Sequence, residues 1–296
     1  LGLSSIIILF EPMHPSQIKR ISKALSEQVL AVSPISGGDI AEAWHVRTSR
    51  KVYFAKTGLT SMSDIFESEA QGLAVLKQAP SGLIVPHVVA QESGILVLEW
   101  LEPVKATKVH FRQLGEGLAT LHQTLSPTAA HGFPVHNFIG RTRQPNSWQT
   151  DWPTFFIENR LWPMAENCRN AKRWSSVWEK PFQALCKELP QILPKHPPAS
   201  LLHGDLWHGN ICFTPNGPAL IDPAVYYGDR ETDLAMTTLF GGFPSVFYES
   251  YQYTWPLASG FEERRPLYNL YHLLNHLLLF GSSYAGSVAA TFKKFG

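Results

Sequence analysis

The stretch LLHGDLWHGNICF, Leu201 to Phe213, sets two histidines, one aspartate and one asparagine between apolar runs, and Asp222 closes the next apolar run, ALID. Three readings fit so many polar side chains against strand-like segments: a metal cage, a catalytic loop, or a turn-rich surface connection. The residues between the two runs help to decide. Ile211–Phe213 and Ala219–Ile221 flank TPNGP, and Asn-Gly between apolar runs is a strong hairpin signal. A hairpin returns the chain to its starting end. Asn210 and Asp222 then come side by side, with Asp205 at the entrance. Oxygen donors alone suit a hard cation such as Mg²⁺. A zinc cage would need His203 and His208 to converge with a third soft ligand. His203, inside the apolar run, can instead bond to backbone and brace the loop, and His208 reads as a solvated neighbour. The balance favours a phosphoryl-transfer site.

Working outward, 296 residues are enough for two lobes and a sizeable core. Hydrophobic residues at 44% and charged residues at 17% fit a soluble globular chain. The formal charge of +1 shows no basic excess that would advertise nucleic acid or an anionic membrane. Neither partner is expected. Cys168, Cys186 and Cys212 are scattered, without metal-ligand spacing, which fits a reducing compartment. The apolar run IIILF near Leu1 is too short to span a bilayer and lacks the flanks of a signal peptide. A cytoplasmic location is expected, with residues 1–12 irregular and Met13 an alternative start.

The pattern changes along the chain. ISKALSEQVL reads as a short amphipathic helix, and AWHV and VYFAK as strands around the turn-like RTSRK. A helix follows from about Asp64 to Lys77, then the strand pair IVPHVVA and GILVLEWL. Beyond EPVKATK, Phe111, Leu114, Leu118, Leu121 and Leu125 recur at helical spacing. Helices dominate from there, and PLYNLYHLLNHLLLFG reads as a buried core helix. The switch sets a boundary near Trp100–Lys105, giving a first lobe of residues 1–101 and a second of residues 102–296.

HGDLWHGN followed by IDPA resembles the catalytic and metal-binding segments of the aminoglycoside phosphotransferase-like kinases. The tryptophan in that motif, with YYGDRETDLAM behind it, narrows the resemblance to the fructosamine (ketosamine) kinase family. Asp205 to Asn210 also has the D-x-x-x-x-N spacing of a protein-kinase catalytic loop. SGGDIAEAW, FAK, FESEAQGLAVL, QPNSWQTDWPTFFIENR and ERRPLYNLYHLLN carry the resemblance over nearly the whole chain. The fold it implies is α+β and bilobal, protein kinase-like. A small antiparallel-sheet lobe with one main helix would precede a larger, mostly helical lobe holding the catalytic hairpin.

The resemblance implies ATP and Mg²⁺ as cofactors, with Asp205 as the base and Asn210 and Asp222 as metal ligands. A kinase of this type fixes a strand lysine by an ion pair to a helix glutamate; Lys56 is that lysine. At 100° per residue Glu69 falls between Leu73 and Leu76 on the apolar face, while Glu67 points elsewhere. A carboxylate so placed needs a partner, which makes Glu69 the match for Lys56. Its bland alternative is a face-edge glutamate reaching water. Gly37 and Gly38 would bring backbone N–H groups to phosphate oxygens, although two adjacent glycines also make an ordinary turn. None of the three cysteines occupies that loop, so thiol switching there is not expected. Glu99 and Leu101 correspond to the adenine-binding hinge. Asp233 corresponds to an aspartate that braces the catalytic loop, or else is a plain helix cap. Trp207 offers a flat face to a sugar ring. Trp148, with Trp152 and Phe155, walls the acceptor side or belongs to the core. The implied activity is phosphorylation of the 3-hydroxyl of ketosamines, free or on glycated proteins, which destabilises the adduct. The alternatives are another small-molecule hydroxyl (aminoglycoside, choline or sugar) or a silent ATP-binding protein.

Overall fold

The computed structural model describes residues 12–35 and 41–295. The chain divides into two compact units. One holds the described residues up to Ala70 with Pro86–Leu101; the other holds Gln71–Val85 with the chain from Glu102 onward. Gly37 and Gly38 lie outside the described residues.

The first unit is a five-stranded antiparallel sheet in the order β1-β2-β3-β5-β4, formed by Val29–Ile35, Glu42–Thr48, Val52–Thr57, Val88–Glu92 (β4) and Ile95–Glu99 (β5). Strand alternation sorts its side chains. Trp44, Val46, Tyr53, Ala55, Ile95 and Val97 form one buried cluster with Ile21 of α1 (Pro15–Leu25). Lys56 follows Ala55 and so faces the other way. The first helix begins and ends earlier than ISKALSEQVL suggests. Pro15 sits in its first turn, His14 caps it, and Ser26 takes a left-handed conformation, φ 52°, that stops it. Val29 and Leu30, expected in that helix, open β1 instead. The main helix α2 runs Ser63–Gln78.

In the second unit, α3 (Lys108–His122) packs on α8 (Ser245–Thr254). Its apolar stripe ends at Leu121; Leu125, expected on the same face, lies past the helix and is exposed. The chain continues through β6 (Asn137–Ile139), β7 (Thr142–Gln144), α4 (Trp152–Phe156), a π-helical turn at Ile157–Leu161, α5 (Trp162–Asn170) and α6 (Glu179–Ile192). The expected core helix is α9 (Phe261–Phe280), buried without a break from Leu267 to Asn275, and α10 (Ala285–Phe295) follows it. No helix among the described residues is long and apolar enough to cross a membrane.

The site is carried by β8 (Ser200–Leu202), the hairpin β9 (Ile211–Thr214) and β10 (Gly217–Leu220), β11 (Tyr226–Gly228), which pairs with β8, and α7 (Glu231–Met236). The hairpin forms where TPNGP lies, but Thr214 pairs with Gly217, so Pro215 and Asn216 are the turn residues. The Thr214 hydroxyl accepts from Asn216 N and donates to Gly217 O at 2.9 Å, holding the corner closed. Both hairpin edges are covered. Ile84 exchanges backbone bonds with Pro218 and Leu220, and Val104 N donates to Phe213 O at 2.8 Å. The pairing through Ile84 ties the segment after α2 to the second unit, although the sequence reading assigned it to the first lobe.

Candidate active site

The loop leaving β8 turns at Gly204, where φ is +83° and an added Cβ would lie 2.0 Å from Ala224 O. Only glycine fits there. Two backbone bonds pin the loop to the hairpin's return: Ala224 N to His203 O, 2.8 Å, and Ile221 N to Asn210 O, 3.1 Å. Leu206 is fully buried beneath it. The Asn210 amide donates from Nδ2 to Asp205 O at 2.8 Å and to Asp205 Oδ2 at 3.0 Å. Asp222 returns at the far end of the hairpin in a left-handed conformation, φ 54°. Asp222 is near enough to Asp205 for its charge to act on the Asp205 carboxyl. The structure thus gathers Asp205, Asn210 and Asp222 at one end of the hairpin.

Desolvation pushes the Asp205 carboxyl up to about 7; the Asn210 hydrogen bond opposes this, and the charges of Asp222 and Asp233 add to it. Its side chain still keeps 20% exposure, so the carboxyl is set deep but can be reached. Among the described residues, no group of three or more His, Cys, Asp or Glu side chains could hold a metal ion. One amide oxygen and one carboxylate fit Mg²⁺, which takes one or two protein carboxylates and completes its shell with water and substrate phosphates.

His203 does not serve a zinc cage. Its Nε2 donates to Ile221 O at 2.9 Å and its Nδ1 accepts from Asp205 N at 3.3 Å. Both ring nitrogens are committed to backbone, which fixes the Nε2–H tautomer, and burial holds its pKa down. Asp233, in the first turn of α7, does not cap its own helix. Its carboxylate accepts from His203 N at 2.7 Å, Gly204 N at 2.9 Å and His122 Nε2 at 3.2 Å. Burial works to raise its pKa, but the bonds from His122 and Gly204 hold it below the usual carboxylate range. His122 is itself fully buried, burial works to lower its pKa, and its Nδ1 bonds to Tyr251 Oη at 2.8 Å. A buried chain therefore runs from Tyr251 through His122 and Asp233 into the backbone that carries Asp205.

Around this chain, Asp229 accepts from Tyr268 Oη at 2.7 Å, and Arg264 forks onto Glu231 at 2.7 and 2.6 Å, joining α7 to α9. Arg160, in the π-helical turn, is fully buried and has no carboxylate partner among the described residues. It bonds to Asn159 O, Pro145 O and Asn146 Oδ1 and lies 3.9 Å over the Tyr226 ring.

The Trp207 ring is half-buried, edge-on to Phe240 at 5.7 Å. It lies so close over Gly209 that an added Cβ there would sit 2.4 Å from the indole. His208 is exposed but leans on Phe111, Phe213 and Phe243 rather than standing free in solvent. Trp148 stacks on Tyr227 at 6.2 Å, and Trp152 and Phe155 are core.

In the first unit, Lys56 Nζ donates to both oxygens of Glu69 at 2.8 Å. Glu69 is only 8% exposed, so the helix-face geometry sends it to the strand lysine rather than to water. Glu99 N and Oε2 both engage the backbone of His87. Leu101 follows in irregular backbone past β5.

A family model described as fructosamine kinase matches residues 13–295. A probable ketoamine kinase of Enterococcus faecium is 38% identical over 270 residues, spanning 89% of this chain and 95% of that protein. The crystal structure of a putative fructosamine-3-kinase from Haemophilus somnus superposes with a TM-score of 0.85 at 28% identity, covering 94% of this chain and 96% of the other. An ADP-bound aminoglycoside phosphotransferase shares the fold, with a TM-score of 0.65 at 12% identity over 95% and 97% of the two chains.

Proposed function

The chain belongs to the fructosamine kinase family, and from that premise we propose that it transfers the γ-phosphoryl group of ATP to the 3-hydroxyl of ketosamines, free or on protein lysines. It is an ATP-dependent phosphotransferase with the protein kinase-like fold of its structural relatives. The observation that carries the proposal is the fixed placement of Asp205 beside Asn210 and Asp222, on a loop whose backbone is held by Asp233.

In phosphoryl transfer a protein mainly positions groups and neutralises charge. Asp205 accepts a hydrogen bond from the attacking hydroxyl and takes its proton as the new P–O bond forms. Asn210 and Asp222 would hold Mg²⁺, which supplies positive charge to the phosphate oxygens. Lys56, steadied by Glu69, gives a second positive charge to the nucleotide phosphates. Trp207 supplies the flat apolar face for the sugar. A phosphate on the 3-oxygen weakens the adduct, so the product would release its amine.

The test is ADP release with ribulosamine and fructosamine adducts, set against kanamycin, choline and no acceptor. The proposal expects turnover with at least one ketosamine well above the other three arms, and phosphate on its 3-oxygen by NMR. Turnover confined to kanamycin or choline, or equal rates with and without acceptor, would remove it.

A further inference from the structure

Helix α9 turns toward the loop one residue to which the sequence motifs gave no role. His272 is buried, with 4% of its side chain exposed, and its Nδ1 stands 3.9 Å from Asp205 Oδ1. That nitrogen is buried and has no hydrogen-bond partner among the described residues. The two oxygens of Asp205 are not equivalent. Oδ2 receives the Asn210 amide, while Oδ1 is the one that faces His272. A buried polar atom without a partner is costly and calls for one.

A hydroxyl oxygen about 2.8 Å from each atom, the usual hydrogen-bond length, would see Asp205 Oδ1 and His272 Nδ1 about 90° apart across their 3.9 Å separation. Such an oxygen can donate to the carboxylate and accept from an Nδ1–H imidazole at once. The imidazole is suited to a neutral donor role: burial first, then His276 and Arg160, hold its pKa down to about 3.

On the ketosamine kinase reading above, we infer that His272 clamps the acceptor's reacting hydroxyl together with Asp205. The hydroxyl donates to Asp205 Oδ1 and accepts from His272 Nδ1–H, which leaves its second lone pair for the γ-phosphorus. As the new O–P bond forms, the bond from phosphorus to the ADP oxygen breaks and the hydroxyl proton passes to Asp205 Oδ1. His272 neither gains nor loses a proton. Its work is orientation, of the kind that converts a collision into a near-attack geometry.

The experiment compares wild type with His272→Asn, His272→Gln and His272→Leu, measuring kcat and KM separately for ATP and for the ketosamine. Asparagine can place an amide N–H close to the position of Nδ1, whereas glutamine reaches the position of Nε2 and leucine offers no donor. The clamp predicts that kcat/KM for the ketosamine falls about tenfold to a hundredfold in the leucine and glutamine variants. It predicts that asparagine recovers most of the loss and that the KM for ATP stays put in all three. Equal losses in all three variants, or a loss shared with ATP, would mark a packing role and overturn the inference. Unchanged ketosamine kinetics throughout would assign Nδ1 to a buried water and overturn it too. A wild-type protein that turns over no ketosamine would instead remove the reading on which the clamp rests, and the clamp with it.

Discussion

Replacing Asp233 with asparagine probes the brace beneath Asp205. The carboxylate accepts three N–H donors: His203 N and His122 Nε2 on Oδ2, and Gly204 N on Oδ1. An asparagine can keep its oxygen where Oδ2 stands, but its NH₂ then faces Gly204 N, donor against donor. One charge-assisted bond is lost and one buried N–H is left unpaired, while the other two bonds become neutral. Together these changes cost about 3 kcal/mol. The loop cannot relax cheaply, because Gly204 already packs against Ala224 O with a positive φ. Urea unfolding should show the loss directly, and the thermal midpoint should fall by about 6–12 °C. Asp205 is the next residue, so kcat should drop about a hundredfold for a displacement near 1 Å. An Asp233→Asn protein unfolding within about 0.5 kcal/mol of wild type, with unchanged kcat, would refute the brace.

Two further outcomes test other parts of the account. His131 is 1% exposed, packs against Trp152, and has its pKa lowered to about 4, chiefly by burial. Its folded pKa lies below the unfolded value, so the unfolded chain binds the proton first and stability is lost as the pH falls from about 6.5 to 4. Between pH 7 and pH 5 that loss is about 2 kcal/mol, and His131→Leu should remove it from the pH dependence of urea unfolding; an unaltered dependence would refute the assignment. Glu69→Gln removes the charge that fixes Lys56, and should lower kcat/KM for ATP about tenfold to a hundredfold without moving the KM of the acceptor. A change in the acceptor KM of the same size would place Lys56 elsewhere in the reaction.

The parts of the site legible in the sequence are those set by short-range geometry. A hairpin of known length brings Asp222 back to Asn210, and helix periodicity separates Glu69 from Glu67. The rest depends on partners that no local pattern announces. His122 meets Asp233 across 111 residues and Tyr251 across 129; in the sequence, TLHQT is only the end of an amphipathic helix. His272 lies in a stretch that reads only as a buried core helix, and only packing aims its Nδ1 at Asp205. Arg160 is buried among carbonyls and an aromatic face, which charge patterning would never suggest. Element ends also escaped the reading where a single backbone conformation set them. Ser26 ends α1 by adopting positive φ, and the Thr214–Gly217 pairing moves the turn one residue back from Asn-Gly.

Asp205 is the residue on which the chemistry turns, and one variant isolates it. In Asp205→Asn the amide can preserve the loop's packing and its contact with Asn210, but it cannot take the acceptor's proton. ATP affinity and ketosamine turnover, measured side by side, should show affinity within a few-fold of wild type and kcat reduced by about 10²–10⁴. Turnover within tenfold of wild type at unchanged affinity would contradict the account.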